Sequence, residues 1–264
     1  MIGQDKLTDR ITNEEVPKSN LIIGEKGAGK HTLIKEICAR HNLDCVDITD
    51  NISKDLIDDL YISPVAHAYI IDIVELSAKS RYINKENAVL KFIEEPPSNS
   101  VIFIVAEYES QVIDTIKNRC VVWKFSPYNI NDLRQFRSYE NDFMYFLLDT
   151  PGKILTGKDE DYYISLFKIC NSVIDNIDRA NVSNTLSLEK HMRFVNEDGY
   201  DLTLFLICMK YLLRQRILQS SSQEDIDAFD LTRQFIEWSH ILNVNERHLF
   251  DNYILTLKSI YEKS

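Results

Sequence analysis

One octapeptide constrains this chain more than any other stretch. Gly24-Glu25-Lys26-Gly27-Ala28-Gly29-Lys30-His31 follows an apolar, strand-like run, Leu21-Ile22-Ile23, and opens a helix-like stretch from Leu33 to Arg40. A strand that turns through closely spaced glycines into a helix is the setting of a phosphate-binding loop. Backbone N–H groups of such a loop, aimed by a helix N-terminus, cradle phosphates, and Lys30 is placed to reach the β- and γ-phosphates. The pattern holds at Gly24, Gly27, Gly29 and Lys30. It breaks at the last position, where Ser or Thr is expected and His31 stands, followed by Thr32. The missing hydroxyl ordinarily helps hold Mg²⁺, and an imidazole is a poor ligand for so hard a cation. The loop therefore reads as a nucleotide-site scaffold with one catalytic part changed.

Around this loop, residues 1–125 alternate short apolar runs with helical patterns. The strand candidates are Leu21–Ile23, Cys45–Ile48, Ala68–Asp72, Val101–Ala106 and Cys120–Phe125, and the helix candidates between them are 31–40, 53–61, 84–94 and 109–117. Such alternation predicts an α/β fold, a parallel sheet covered by helices. Pro96-Pro97-Ser98-Asn99 stops the third of these helices before the fourth strand.

After Phe125 the texture changes. A short, mostly helical section begins at Ser126-Pro127 and reaches Thr150-Pro151-Gly152-Lys153. From about residue 160, apolar residues recur at helical spacing: Tyr163, Leu166, Phe167 and Cys170, then Leu202, Phe205, Leu206, Met209 and Leu213. Phe235, Trp238, Ile241 and Leu242 continue the pattern, as do Leu249, Tyr253 and Leu257, with Ser220–Asp225 joining two of the helices. The expected organisation is an α/β nucleotide-binding domain at 1–125, a small helical lid at 126–158 and an all-helical domain at 159–264.

The composition narrows the function classes. A net charge of -11 over 264 residues disfavours a primary DNA anchor, which would carry a basic surplus. No apolar run approaches the 18 or so residues of a membrane span, and Met1 to Lys6 shows no apolar leader, so a cytoplasmic protein is expected. The five cysteines (Cys38, Cys45, Cys120, Cys170, Cys208) form no C-x-x-C pair and read as reduced thiols rather than a zinc site.

A nucleotide site needs a second element, an apolar strand ending in an acid, and Ala68-Tyr69-Ile70-Ile71-Asp72 supplies it. Asp72 is placed to hold Mg²⁺ through water. The next position, where a water-polarising glutamate is expected in an active ATPase, is Ile73, and Glu75 stands too far on to replace it. Phosphoryl transfer is mostly positioning and charge neutralisation, so His31 and Ile73 together predict weak hydrolysis. His67, His191, His240 and His248 lack ligand-like spacing to acids or cysteines, and Asp47, Asp50, Asp58 and Asp59 read as a solvated acidic face.

Two further runs complete the pattern: Asn87-Ala88-Val89-Leu90-Lys91-Phe92-Ile93-Glu94-Glu95-Pro96-Pro97, and Asp114-Thr115-Ile116-Lys117-Asn118-Arg119-Cys120 before Val121–Phe125. With Ile2-Gly3-Gln4 and the Gly24–Lys30 loop in register, they resemble the AAA+ subunits of DNA sliding-clamp loaders. The chain is most similar to the delta-prime type of the bacterial DNA polymerase III clamp loader. Asn118-Arg119-Cys120 stands where that family has S-R-C. The resemblance covers about residues 1–155, and beyond 160 it is only architectural.

The resemblance implies roles. Arg119 would be a trans arginine finger, reaching the ATP of a neighbouring subunit. Lys153, in Thr150-Pro151-Gly152-Lys153, would take the place of the second-sensor arginine. The first-sensor position holds Ala106-Glu107-Tyr108, and a carboxylate facing a γ-phosphate is repulsive. The family commonly carries a four-cysteine zinc module between the loop and the Asp strand. Here about forty residues separate Lys30 from Asp72, with only Cys38 and Cys45 among them, so a compact form without zinc is expected.

The implied function is that of a stator in a hetero-oligomer, binding ATP or ADP weakly with little use of Mg²⁺. Its partners would be a motor ATPase of the tau/gamma type and a delta-type subunit, with the sliding clamp and primer-template DNA reached through the complex. The helical domain at 159–264 would be the collar that assembles it. Two other readings stay open on the residues alone: a slow, self-sufficient P-loop ATPase in which Thr32 supplies the hydroxyl, and a helical adaptor with a vestigial nucleotide site.

Overall fold

The computed structural model describes residues 2–13, 15–62, 67–73, 89–177, 202–239 and 245–262. Glu75, residues 84–88 of the third helix candidate, His191, His240, Ile241 and Leu242 lie outside them. The chain divides into two compact units, Met1–Ser138 with Leu148–Gly157, and Tyr139–Leu147 with Lys158–Ser264. The stretch 126–158, read above as one lid, contributes to both.

The first unit is built on five parallel strands: β1 Ser19–Ile23, β2 Asp44–Asp47, β3 His67–Asp72, β4 Val101–Ala106 and β5 Val121–Lys124. Their order is β2-β3-β4-β1-β5, so the strand that feeds the glycine loop is central, between β4 and β5. Successive residues of a strand face opposite sides, and here both sides are apolar. Leu21, Tyr69, Ile71, Ile102 and Ile104 pack into one core with Phe92 and Ile93. Ile22, Ile70, Phe103 and Val105 pack into another with Leu33, Ile34 and Ile37. The buried Asn20 pins the centre: its Nδ2 donates to Ile102 O at 3.3 Å and its Oδ1 accepts from Trp123 Nε1 at 2.9 Å. β2 is an edge strand with all four residues exposed.

The helices of this unit are α1 Asp5–Asn13, α2 Lys30–His41, α3 Lys54–Ile62, a helical segment at 89–94, α4 Asp114–Lys117 and α5 Ile130–Arg134. The expected single helix at 109–117 is replaced by a 3-10 turn, Glu109–Gln111, and α4. Between them Val112 and Ile113 are extended, at φ/ψ of -107/124 and -66/149. The break turns Val112 inward to 3% exposure and lets Ile113 pack on the same core. Helix α1 was not anticipated; Leu7 and Ile11, four residues apart, bury its inner face.

The second unit is helical: α6 Phe143–Leu147, α8 Glu160–Asn176, α9 Leu202–Ser220, α10 Gln223–Ser239 and α11 Glu246–Tyr261. Helix α7, Pro151–Thr156, belongs to the first unit. The periodic residues Tyr163, Leu166, Cys170, Phe205, Leu206, Met209, Leu213, Phe235, Tyr253 and Leu257 are buried as their spacing predicts. Trp238 departs from the pattern: it is 39% exposed, with its ring 4.8 Å from that of Phe235. α6 joins this unit through Phe143, whose ring lies 4.9 Å from that of Phe167. Ser221, at φ 50, closes α9, and Ser222 Oγ accepts from the amide of Asp225 at 3.1 Å to open α10. Among the described residues no helix is long and apolar enough to cross a membrane.

Candidate functional site

In a parallel sheet, loops at the carboxyl ends of the strands make the binding crevice, where the strand order reverses. Three strands deliver the candidate residues to that edge: β1 leads into Gly24, β3 ends in Asp72, and β4 leads into Glu107. Gly27 and Gly29 sit at φ 81 and 99, in the left-handed region that glycine enters without strain. Gly29 is the N-cap of α2, so the loop runs directly into a helix N-terminus.

Each carbonyl from Gly24 to Gly29 has a protein partner. Lys30 Nζ donates to Gly24 O at 2.5 Å and to Glu25 O at 3.0 Å. Thr150 Oγ1 donates to Lys26 O at 2.9 Å, the Gly152 amide to Gly27 O at 2.9 Å, and Tyr128 OH to Ala28 O at 2.7 Å. Gly29 O accepts from the Leu33 amide at 2.9 Å, the first turn of α2. Two loop amides are also engaged within the protein: Gly24 N donates to Ala106 O at 3.2 Å and Ala28 N to Glu25 O at 3.0 Å. The N-terminus of α2, just after the loop, is an end that suits an anion.

Lys30 is 8% exposed. Burial pulls its pKa below the usual lysine value, opposed by the carboxylates of Glu107, Asp72 and Glu25 in that order. Glu107 is therefore the strongest negative charge acting on this lysine, at the position where the sequence placed an unsuitable first sensor. Asp72 is half-buried, and its amide donates to Thr49 Oγ1 at 2.9 Å. Ile73 is 2% exposed and part of the sheet core, so no carboxylate follows Asp72. His31 and Thr32 are both exposed at the start of α2. The glycine turns expected of a phosphate loop run into α2, while His31 and Thr32, where a metal ligand is expected, stand in solvent.

Lys153 lies beside the loop, on the first turn of α7, which Thr150 caps. Its Nζ meets Asp149 Oδ1 at 2.6 Å and Glu25 Oε2 at 3.2 Å. Burial works against the ammonium, but Asp149 and then Glu25 outweigh it, and the pKa is raised. Burial also raises the carboxyl of Asp149, and Glu25 adds to this, because two carboxylates share one lysine. Burial, then Glu25 and Glu107, pushes the pKa of the neighbouring Tyr108 phenol up.

Arg119 is elsewhere. β5 enters the sheet at Val121, which pairs with Asn20, four residues and about 13 Å upstream of Gly24 at 3.3 Å per residue. Arg119 precedes that point, at the amino edge of the sheet, while the loop leaves the carboxyl edge. Its Nε and Nη2 each reach Glu94 Oε1 at 2.5 Å, and Nη1 donates to Thr115 O at 2.8 Å. Its side chain is 37% exposed.

The structure thus gathers Gly24, Gly27, Gly29, Lys30, Asp72 and Lys153 at one edge and sets Arg119 apart. Sequence reasoning missed the roles of Tyr128, Asp149 and Gly152 around the loop, and of Glu94 beside Arg119. All but Asp149 act through contacts between residues distant in sequence.

Comparisons with known proteins bear on these features. Residues 44–129 match the model of the family described as DNA polymerase III, delta subunit. That stretch contains Asp72, Glu94-Glu95-Pro96-Pro97 and Asn118-Arg119-Cys120. No curated protein sequence matches the chain. Among solved structures, a DNA polymerase III gamma subunit-related protein of Thermotoga maritima is similar at TM-score 0.50 and 14% identity, covering 97% of this chain and 99% of that one. The RuvB Holliday junction branch migration motor of the same organism has TM-score 0.46 and 16% identity, covering 82% and 76%. The DNA clamp loader delta protein of Bacillus subtilis has TM-score 0.36 and 11% identity, covering 98% and 100%. The likeness to the first is one of fold: a five-stranded parallel sheet with surrounding helices and a helical C-terminal region.

Proposed function

We propose that this chain is a clamp-loader subunit of the delta-prime type, a stator that acts on a neighbour's ATP rather than its own. The observation that carries the reading is the separation of its two chemical ends. Arg119 stands at the amino edge of the sheet, within a segment that matches a DNA polymerase III family, and the phosphate loop lies at the opposite edge. An arginine so placed serves a site on another chain. Its planar guanidinium makes rigid, permanently charged contacts suited to a γ-phosphate.

Its own site supports the complementary half. Lys30 is turned onto the carbonyls of Gly24 and Glu25, and Glu107 and Asp72 face it. Lys153 is held by Asp149 and Glu25. An incoming phosphate must displace these contacts and approach four carboxylates, so ATP or ADP binds weakly. His31 gives Mg²⁺ little, and Ile73 offers no group to polarise water. The partners are a motor ATPase of the tau/gamma type and a delta-type subunit, and the assembly opens a sliding clamp onto primed DNA.

The test is reconstitution with the motor subunit of the same cell's clamp loader. Adding this chain is expected to raise ATP turnover that depends on clamp and primed DNA. The reading fails if the chain alone turns over ATP at ordinary enzyme rates of about 1 per second or more, or if it does not join the assembly.

A further inference from the structure

We infer that Glu94 is the positioning residue for Arg119, an inference that rests on the arginine-finger reading above. Both ends of the contact are rigid. Glu94 follows Phe92 and Ile93, at 0% and 2% exposure, and Ser19 Oγ anchors Ile93 O at 2.8 Å. Pro96 and Pro97 follow after Glu95, with the Ser100 amide and hydroxyl folded back on Pro97 O at 3.0 and 2.8 Å. Arg119 in turn follows α4, where Ile116 is 1% exposed and accepts the Arg119 amide at 3.0 Å. Glu94 Oε1 takes Nε and Nη2, and Thr115 O takes Nη1. All three guanidinium nitrogens are thereby held, and each terminal nitrogen keeps a second N–H for a phosphate oxygen.

An unrestrained arginine on an exposed turn must lose its rotamer freedom when it meets the phosphate. One held by Glu94 has already lost it. The pair itself adds little to stability, because both side chains are more than a third exposed. Its consequence is for the rate in the neighbouring site.

The test uses the reconstituted complex carrying Glu94→Ala, Glu94→Gln, Arg119→Ala and the double variant in this chain. Glu94→Ala is expected to lower kcat for ATP roughly three- to tenfold, the factor that ordering one rotamer-rich side chain represents, with KM little changed. Glu94→Gln keeps an acceptor oxygen and should lose less. In the Arg119→Ala background, Glu94→Ala should cost nothing more, and thermal unfolding of each purified variant should match that of the parent. If Arg119→Ala depresses turnover while Glu94→Ala does not, or if the two losses add, the positioning role is overturned and the finger stands. If Arg119→Ala has no effect, the finger reading itself falls, and this inference with it.

Discussion

Gly152 and Gly27, 125 positions apart, are in van der Waals contact: the Gly152 amide donates to Gly27 O at 2.9 Å, and a methyl group on Gly152 would lie 2.5 Å from Gly27 Cα. Neither glycine tolerates a side chain, so the first turn of α7 is seated on the phosphate loop. Lys153 and Thr150 reach loop atoms only because this seat exists. Gly152→Ala is therefore expected to destabilise the α/β unit by about 1–3 kcal/mol, the usual cost of overpacking. Urea unfolding followed by the fluorescence of Trp123, which lies in that unit, would measure it. An unchanged midpoint would mean that α7 is not seated there in solution.

The lysine of that turn carries a pH signature. The pKa of Lys153 is raised above its ordinary 10.5 by Asp149 and Glu25, which outweigh burial. A group whose folded pKa is raised contributes stability that is fully present below the unfolded value and is lost as pH rises through the folded one. The gap in Tm between the parent and Lys153→Met should thus hold steady from pH 7 to near 10 and narrow above the ordinary lysine value. A gap that widens on the alkaline side contradicts the assignment.

The loop is expected to bind ATP weakly and with little response to Mg²⁺, because it keeps its glycine turns and Lys30 while His31 is exposed and the carboxylates of Glu107 and Asp72 act on Lys30. Lys30→Ala should remove what binding there is. Calorimetric titration of the purified chain with ATP, with and without Mg²⁺, decides this. A tenfold or greater gain in affinity from Mg²⁺, about 1.4 kcal/mol, would place a working metal ligand in the site.

In the helical unit the most exacting polar site is Asp225, which is 1% exposed. It accepts from Tyr261 OH at 2.5 Å and Ser220 Oγ at 3.2 Å and pairs with Arg216 Nε at 3.3 Å. Its partners reach solvent, Arg216 at 40% exposure, so Asp225→Ala removes hydrogen bonds to a buried carboxylate without stranding a buried charge and should cost about 1.5–3 kcal/mol. Chemical denaturation of the full chain followed by circular dichroism checks it. A loss under about 1 kcal/mol would be that of an exposed pair.

Much of this fold was legible in the sequence because strands β1, β3 and β4 are buried on both faces and so appear as unbroken apolar runs. The glycine loop was legible because its chemistry is local. What escaped was long-range or locally ambiguous. Residues 109–117 carry enough helix-compatible residues to suggest one helix, but burying Val112 and Ile113 in the sheet core outweighs two turns of propensity. Trp238 keeps helical spacing yet is left half-exposed, since spacing gives a face and not what covers it. The contacts of Tyr128 with Ala28, Gly152 with Gly27 and Glu94 with Arg119 join segments 100, 125 and 25 residues apart, beyond the reach of any periodicity.

The central claim is that this chain's chemistry is exercised in a neighbour's site. The most direct measurement is clamp- and primed-DNA-stimulated ATP turnover of the complete complex, with Arg119→Ala compared against Lys30→Ala in this chain alone. Trans arginine fingers contribute roughly 10³–10⁵ in rate in GTPases. One finger among several sites should show as a smaller but clear loss in the whole assembly. The expected result is depressed turnover and clamp loading with Arg119→Ala, intact assembly, and near-parental turnover with Lys30→Ala. Equal losses from the two substitutions, or no loss from Arg119→Ala, would contradict the account.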